Sequence, residues 1–379
     1  MTHLILSLDY EIHGNGAGDV RRDVIEPTSR IFDICERHGA WMTIMFEVAE
    51  YWAFQRYEAQ LRESLGYSPS KQMREQAIEA VRRGHDVQLH LHPQWIGARY
   101  EDAAWQLCNS HWRVADLPGG LGNDEQVASV VGALGAGKHT LEDMIKPVRK
   151  DYECLCFRAG CFYAQPSRDI IAAMKHVGLR ADSSVVRGYR KKAPFEVDYS
   201  QVQTKKAAWW TTDTELTEEG RPGEHVIELS VSSAMEPYWM SFKKARRRCV
   251  ARMCRLEKAA RKQGSTDANV GCVPPLREIL RRLVRKHPVT LDFCRLSSKD
   301  MLKRIARHAG HSEDPVVAIG HSKDFINDEE FDKLLGQVSE DQETVFQTMS
   351  EYVAQAEKAA CTLGTDESAS SELGGAEAA

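Results

Sequence analysis

The regular alternation of short apolar runs with helix-periodic segments constrains this chain more than any other feature. Runs at 3–8, 41–46, 86–91, 154–158, 180–184, 225–231, 288–292 and 316–319 have the length and apolar character of strands. Segments at 24–37, 71–83, 141–149, 167–176 and 298–308 carry the three-and-four spacing of amphipathic helices. Strands alternating with helices predict a parallel sheet covered by helices, and this many units favours a closed barrel over an open sheet. The 379 residues suffice for one large domain or two medium ones. In such barrels the chemistry gathers at the carboxyl ends of the strands, so the residues just beyond each apolar run matter most.

Two stretches break the alternation. The first, 97–138, is Gly-rich towards its end, carries Trp105 and Trp112, and is expected to fold over the barrel mouth. The second, 242–286, is dense in Lys and Arg. Its first part, 242–262, spaces Phe242, Cys249, Met253, Leu256 and Ala260 as an amphipathic helix. A solvated basic face is the default for such a helix. The density of arginine also suits an anionic partner: an acidic membrane surface, a nucleotide-sugar or a lipid-diphosphate glycan. The expected organisation is a barrel over 1–340 with insertions at about 97–138 and 242–286, a C-terminal helix over 341–362 and a tail over 363–379. The tail is rich in Gly, Ser, Glu and Ala, cannot bury a core, and is expected to be disordered.

The net charge of −5 gives no reason to expect a nucleic-acid partner. No apolar run approaches the roughly 18 residues that cross a bilayer. Met1-Thr2-His3 leads straight into a strand rather than a signal peptide, and the 10 cysteines show no paired spacing. Reduced thiols in a cytoplasmic protein, with a peripheral contact at the inner face of the membrane through 242–262, is the expectation.

Four strand ends carry groups that can do chemistry. In Leu89-His90-Leu91-His92-Pro93 the period of a strand sends His90 and His92 to one side, where two imidazoles can chelate a divalent metal or simply be hydrogen-bonded. In Ser7-Leu8-Asp9-Tyr10-Glu11 the same period brings Asp9 and Glu11 together, and two close acids are comfortable only beside a cation or in solvent. In Phe157-Arg158-Ala159-Gly160, Arg158 can clamp a carboxylate, its partner being the acid that is not on the metal. In Ile319-Gly320-His321, His321 is placed to act as a general acid or base.

Taken together and in this order, these segments resemble the polysaccharide deacetylases, a carbohydrate esterase family with a distorted (β/α) barrel. Ser7-Leu8-Asp9-Tyr10-Glu11 resembles the family's first acidic motif, and Met42-Thr43-Ile44-Met45-Phe46 its second-strand signature. The stretch from Gly84 to His90 resembles the approach to its metal histidines, and Phe157-Arg158-Ala159-Gly160 its arginine motif. Gly178-Leu179-Arg180-Ala181-Asp182-Ser183-Ser184 is similar to its "DSS" strand, and Ile319-Gly320-His321 to the motif of its catalytic histidine. The likeness covers roughly residues 3 to 335 outside the two insertions. The chain departs from the pattern twice. Tyr10 separates acids that are usually adjacent, and Gln94 stands where the second histidine usually does, leaving His92 for that role. Such a variant resembles a branch associated with cell-surface polysaccharide or lipopolysaccharide biosynthesis.

The resemblance implies a cofactor, a reaction and a set of roles. A divalent metal, Zn²⁺ first among candidates, would be held by Glu11, His90 and His92. Asp9 would be the general base, Arg158 would orient it, His321 would be the general acid, and Asp182 would orient or tune one of them. Gln94 is a candidate ligand or substrate contact, and Trp95 either stacks on a sugar or packs in the core. The implied reaction removes an N-acetyl or other N-acyl group from a sugar, on a nucleotide-linked or lipid-linked glycan. The rivals are hydrolysis of another non-peptide C–N bond and a catalytically silent carbohydrate-binding protein on the same scaffold.

Overall fold

The computed structural model describes residues 1–192, 195–237, 286–308 and 314–373, the side chains of 308 and 363–373 excepted. Nine strands form the main sheet: β1 (Thr2–Tyr10), β2 (Met42–Glu47), β3 (Asp86–Leu91), β4 (Cys156–Ala159), β5 (Ala181–Asp182), β6 (Ala208–Trp210), β7 (Ile227–Leu229), β8 (Val316–His321) and β9 (Thr344–Phe346). Their order is β6-β7-β5-β4-β3-β2-β1-β8, with β9 also pairing β1. Every pairing is parallel except β6 with β7. The helices are α1 (Glu26–Arg37), α2 (Val48–Arg56), α3 (Glu58–Leu65), α4 (Pro69–Arg82), α5 (Val130–Ile145), α6 (Arg168–Val177), α7 (Ser298–His308), α8 (Asp328–Ser339) and α9 (Met349–Leu373).

The sheet curls like a barrel, but its hydrogen-bonded ladder does not close. Single parallel bridges span the gap: Val231 reaches both Val186 and Val317, and Asp292 reaches Ile319. The expected closed barrel is therefore corrected to a curled, open one. The run expected at 288–292 explains much of the difference, because Lys286–Thr290 pairs antiparallel with Ser233–Pro237 and only the end of the run, at Leu291 and Asp292, reaches β8. Pro288 has no N–H to give a central ladder, so this run is a poor interior strand.

Alternation along each strand separates two cores. Leu4, Leu6, Leu8, Ile44, Phe46, Val87, Leu89 and Phe157 belong to the large apolar cluster that includes buried residues of α1, α2, α4, α5 and α6. Ile5, Met45, Cys156, Ala181, Leu229 and Val317 face the opposite way, into the curl, where Met349 and Val353 of α9 join them. The Met349 N–H donates to Thr43 Oγ1 at 3.0 Å and the Ser350 N–H to Asp86 Oδ2 at 3.3 Å. Helix α9 thus plugs the amino-terminal end of the curl and leaves the carboxyl ends of the strands to form the site.

Helix α5 starts at Val130, inside the stretch expected as an insertion over 97–138. The Ser129 hydroxyl accepts from the Gly132 N–H and caps the helix. Its glycines serve close packing rather than a loop: a Cβ on Gly137 would lie 2.7 Å from Leu89 Cδ1. The remainder of the stretch includes a hairpin, Arg99–Glu101 with Ala104–Gln106, whose Trp105 packs on Phe54, Tyr57, Trp95 and Tyr100. The C-terminal helix expected over 341–362 is Met349–Leu373, preceded by β9. The basic helix expected over 242–262, and nearly all of the insertion around it, lie outside the described residues.

Candidate functional site

Strand register brings the site together. Asp9 on β1 pairs with His321 on β8, Glu47 on β2 with His90 on β3, and His90 with Arg158 on β4. All five belong to the inward-facing alternation that begins with Ile5, Met45, Gln88, Cys156 and Val317. Glu11 and His92 continue that alternation one step beyond their strands, at the mouth. The candidates from four separate strand ends therefore converge on one buried cluster.

Arg158 is its most buried cation, with no exposure. Its guanidinium donates to Asp9 Oδ1 at 2.6 Å, to the Ser183 carbonyl at 2.9 Å, and to the hydroxyls of Ser7 and Ser183 at 3.0 Å each. Burial pushes the Asp9 carboxyl up, but Arg158, His90 and His321 outweigh it and hold Asp9 below the usual carboxylate range. The other Asp9 oxygen faces His321 Nε2 at 3.5 Å. Asp9 is thus an ionised carboxylate, fixed on one side and open to a histidine on the other.

The two strand histidines are held differently. His90 Nδ1 lies 2.8 Å from the Arg158 carbonyl, which can only accept, so that nitrogen carries the proton. Nε2 faces the cluster, 3.7 Å from Glu11 Oε2 and 4.0 Å from Asp9 Oδ2. It is buried and makes no hydrogen bond among the described residues. A histidine tied down through one nitrogen and aimed with the other is the arrangement metal ligands adopt. His92 Nδ1 lies 2.8 Å from Glu47 Oε2 and 3.1 Å from Glu11 Oε2. Burial pulls the His92 imidazole down, yet the Glu11 and Glu47 carboxylates prevail and raise it well above its ordinary value.

Three residues of this site were not singled out from the sequence. Glu47, fully buried, ends β2 and also caps α2 by accepting from the Ala49 N–H. Lys323 donates to Glu11 Oε1 at 2.6 Å; burial raises the Glu11 carboxyl, while Lys323, His92 and His90 bring it well below its ordinary range. Glu50, buried behind them, accepts from the Ile12 N–H, and burial together with Glu47 and Glu11 pushes its carboxyl well up. Glu47 had a legible signal, since it extends the inward alternation of Thr43 and Met45. Lys323 and Glu50 had none, as each sits in a short helix beyond its strand.

Asp182 and Trp95 lie apart from the cluster. Asp182 faces away from the curl, because period two puts it opposite to Ser183. It accepts from the Ser184 N–H and hydroxyl and shares a hydrogen bond with buried Glu228. Trp95 is buried against Phe54 and Trp105, so its ring faces are spent on the core. Gln94 is also fully buried, and neither atom of its amide finds a partner among the described residues.

Ligand atoms of Glu11, Glu47, His90 and His92 lie within 4.8 Å of one another, as do those of Asp9, Glu11 and His321. Two imidazoles with carboxylates are a donor set suited to zinc and its neighbours. The unpartnered His90 Nε2 is the observation that fits the group to this chain. Fold and site together define a curled α/β half-barrel with a buried carboxylate–imidazole cluster that can hold a metal ion. No helix among the described residues is long and apolar enough to cross a membrane.

No family model matches the sequence, and no curated protein matches it. Similar solved structures include a protein provisionally described as a polysaccharide deacetylase from Mycobacterium smegmatis, 10% identical over 94% of this chain and 90% of that one, with a TM-score of 0.44. A 4-alpha-glucanotransferase from Thermococcus litoralis is 10% identical over 93% of this chain and 40% of that one, with a TM-score of 0.45. Both likenesses are too loose to carry weight for fold or activity.

Proposed function

We propose that the protein is a metal-dependent hydrolase that removes an N-acetyl or other N-acyl group from an amino sugar. The observation that carries this reading is the His90 Nε2 atom, buried and without a hydrogen bond while it faces the carboxylates of Glu11 and Asp9. Glu11, His90 and His92 would hold the ion, Zn²⁺ by preference, with Glu47 next to them. When bound, such an ion polarises an acyl oxygen and makes water more acidic.

The remaining roles belong to the chain's own groups. Asp9, ionised and fixed by Arg158, accepts the proton of the attacking water. His321, 3.5 Å from Asp9 across the register, delivers a proton to the departing amine, which is otherwise a poor leaving group. Arg158 keeps one Asp9 oxygen occupied so that the other stays directed at the substrate. Gln94 is the candidate for a substrate or ligand contact, since its amide has unspent donors and an acceptor. A nucleotide-linked or lipid-linked amino sugar of polysaccharide or lipopolysaccharide biosynthesis is the substrate class proposed, in the cytoplasm or at the inner face of the membrane.

One observation favours a second reading. Lys323 already neutralises Glu11, as a catalytically silent carbohydrate-binding protein would need in place of an ion. Metal analysis of the purified protein, run beside acetate release from both classes of amino sugar, separates the two. Stoichiometric metal with acetate release supports the hydrolase. Absence of both refutes it in favour of the silent binder, and formate or ammonia in place of acetate moves the reading to another C–N bond.

A further inference from the structure

Just beyond β4 the chain turns tightly against the site. A Cβ on Gly160 would lie 2.3 Å from Cδ2 of the His92 ring, so the turn presses on that imidazole. Cys161 Sγ lies 3.7 Å from His92 Nε2, and the Tyr163 N–H donates back to the Gly160 carbonyl at 3.0 Å. Tyr163 is thereby buried in the wall of the mouth, in the same turn that meets His92.

A short hairpin lays a cation on this wall. Arg190–Lys191 pairs antiparallel with Val197–Asp198, with Arg190 opposite Asp198 and Lys191 opposite Val197. Opposite residues of a ladder share a face, and neighbours along a strand take opposite faces. Arg190 and Asp198 form an ion pair at 2.9 Å on one face. Lys191 is left on the face of Val197, which is wholly buried. There its ammonium donates to the Tyr163 hydroxyl and stands 5.0 Å from the centroid of that ring. Tyr163 and Tyr189 share a hydrogen bond, and burial raises both phenols above their ordinary value, so neither is an anion. No carboxylate among the described residues forms an ion pair with Lys191.

A half-buried lysine without a counter-ion is uncommon. This one keeps ammonium N–H donors to spare, and the phenol pair, with one hydrogen bond between its hydroxyls, keeps an O–H unspent. The group that answers such a set carries negative charge and several acceptor oxygens, as a phosphate does. We propose that Lys191, seated on Tyr163 and Tyr189, binds a phosphate of the substrate, and that the amino sugar entering the site therefore carries a phosphate or diphosphate link. The identity of the substrate rests on the hydrolase reading, while the anion site itself does not. A nucleotide and a lipid carrier present the same diphosphate oxygens to Lys191, and the test separates them.

The test measures binding of inorganic pyrophosphate to the full-length protein by titration calorimetry. Lys191→Gln is expected to weaken it about tenfold, the loss of one charge-assisted hydrogen bond. Lys192→Gln, which removes the exposed neighbouring charge, should leave it unchanged. Uridine diphosphate and farnesyl diphosphate are titrated next. Whichever binds more tightly than pyrophosphate, with the same dependence on Lys191, names the carrier. In acetate release, Lys191→Gln should raise the KM for the phosphate-linked amino sugar about tenfold. No pyrophosphate binding in the wild type, equal affinity in Lys191→Gln, an equal loss in Lys192→Gln, or an unchanged KM would overturn the proposal. Pyrophosphate binding that depends on Lys191, in a protein that releases no acetate from any amino sugar, would instead remove the hydrolase reading and leave the anion site standing.

Discussion

Replacing Arg158 by Leu tests how the mouth of the sheet is held together. The side chain is wholly buried, and four of its hydrogen bonds end on Asp9, Ser7 and Ser183. The two serine hydroxyls keep acceptors of their own after the change, the carbonyls of Ala318 and Leu229, each at 2.8 Å. Asp9 does not: its remaining neighbours are His321 at 3.5 Å and His90 at 4.0 Å. Leaving a buried carboxylate without its guanidinium costs about 3–5 kcal/mol, and Asp9→Asn should cost a similar amount by stranding Arg158. Removing both charges leaves no uncompensated one, so the double variant should cost about as much as either single change. The coupling energy is then about 3 kcal/mol or more. Urea unfolding at pH 7, followed by tryptophan fluorescence and by circular dichroism, measures it and checks that the two signals coincide. A cost for Arg158→Leu below about 1 kcal/mol, or single costs that add to within about 0.5 kcal/mol, would show that this pair does not secure the mouth.

Three further outcomes are expected. His90→Ala and His92→Ala should each abolish both bound metal and deacetylation, measured by metal analysis and acetate release. His321→Ala should keep the metal and lose turnover; activity left intact would remove His321 as the acid. Acid stability should depend on His85, a fully buried ring that accepts from the Met42 N–H and stacks on Phe32, with Glu36 and Arg83 as charged neighbours. Burial lowers its pKa from 6.5 to about 4. Below 6.5 the unfolded chain takes up a proton that the native state refuses until about 4, so stability falls as pH drops through that window. The loss reaches about 3 kcal/mol at 1.36 kcal/mol per unit. His85→Asn keeps an acceptor for Met42 and should flatten this slope in urea unfolding at pH 7, 5 and 4.

Much of the site was legible because a strand is a two-period object. Asp9, Glu11, His90, His92, Arg158 and His321 follow apolar runs, and alternation alone says which of them share a face. The same rule, applied one strand further, places Asp182 on the outward face, since its neighbour Ser183 takes the inward position. Trp95 could not be assigned, since a tryptophan beside a histidine pair reads equally as a stacking surface or as core. Its fate was decided by Trp105, folded back onto it by the neighbouring hairpin, and by Phe54 from α2. The glycines of α5 misled for a related reason: composition suggested a loop, but their purpose is the close approach of Gly137 to Leu89.

The sequence by itself determined the strands that carry the chemistry and the faces they present, because apolar alternation and strand termini are local properties of the chain. Only the tertiary structure decided that the curl stays open, that Lys323 sits on Glu11, and that Glu47, His92 and Cys161 stand in line. These depend on register and on backbone turns between residues far apart in sequence. No local preference encodes a distance between two strands; packing of the whole sheet sets it.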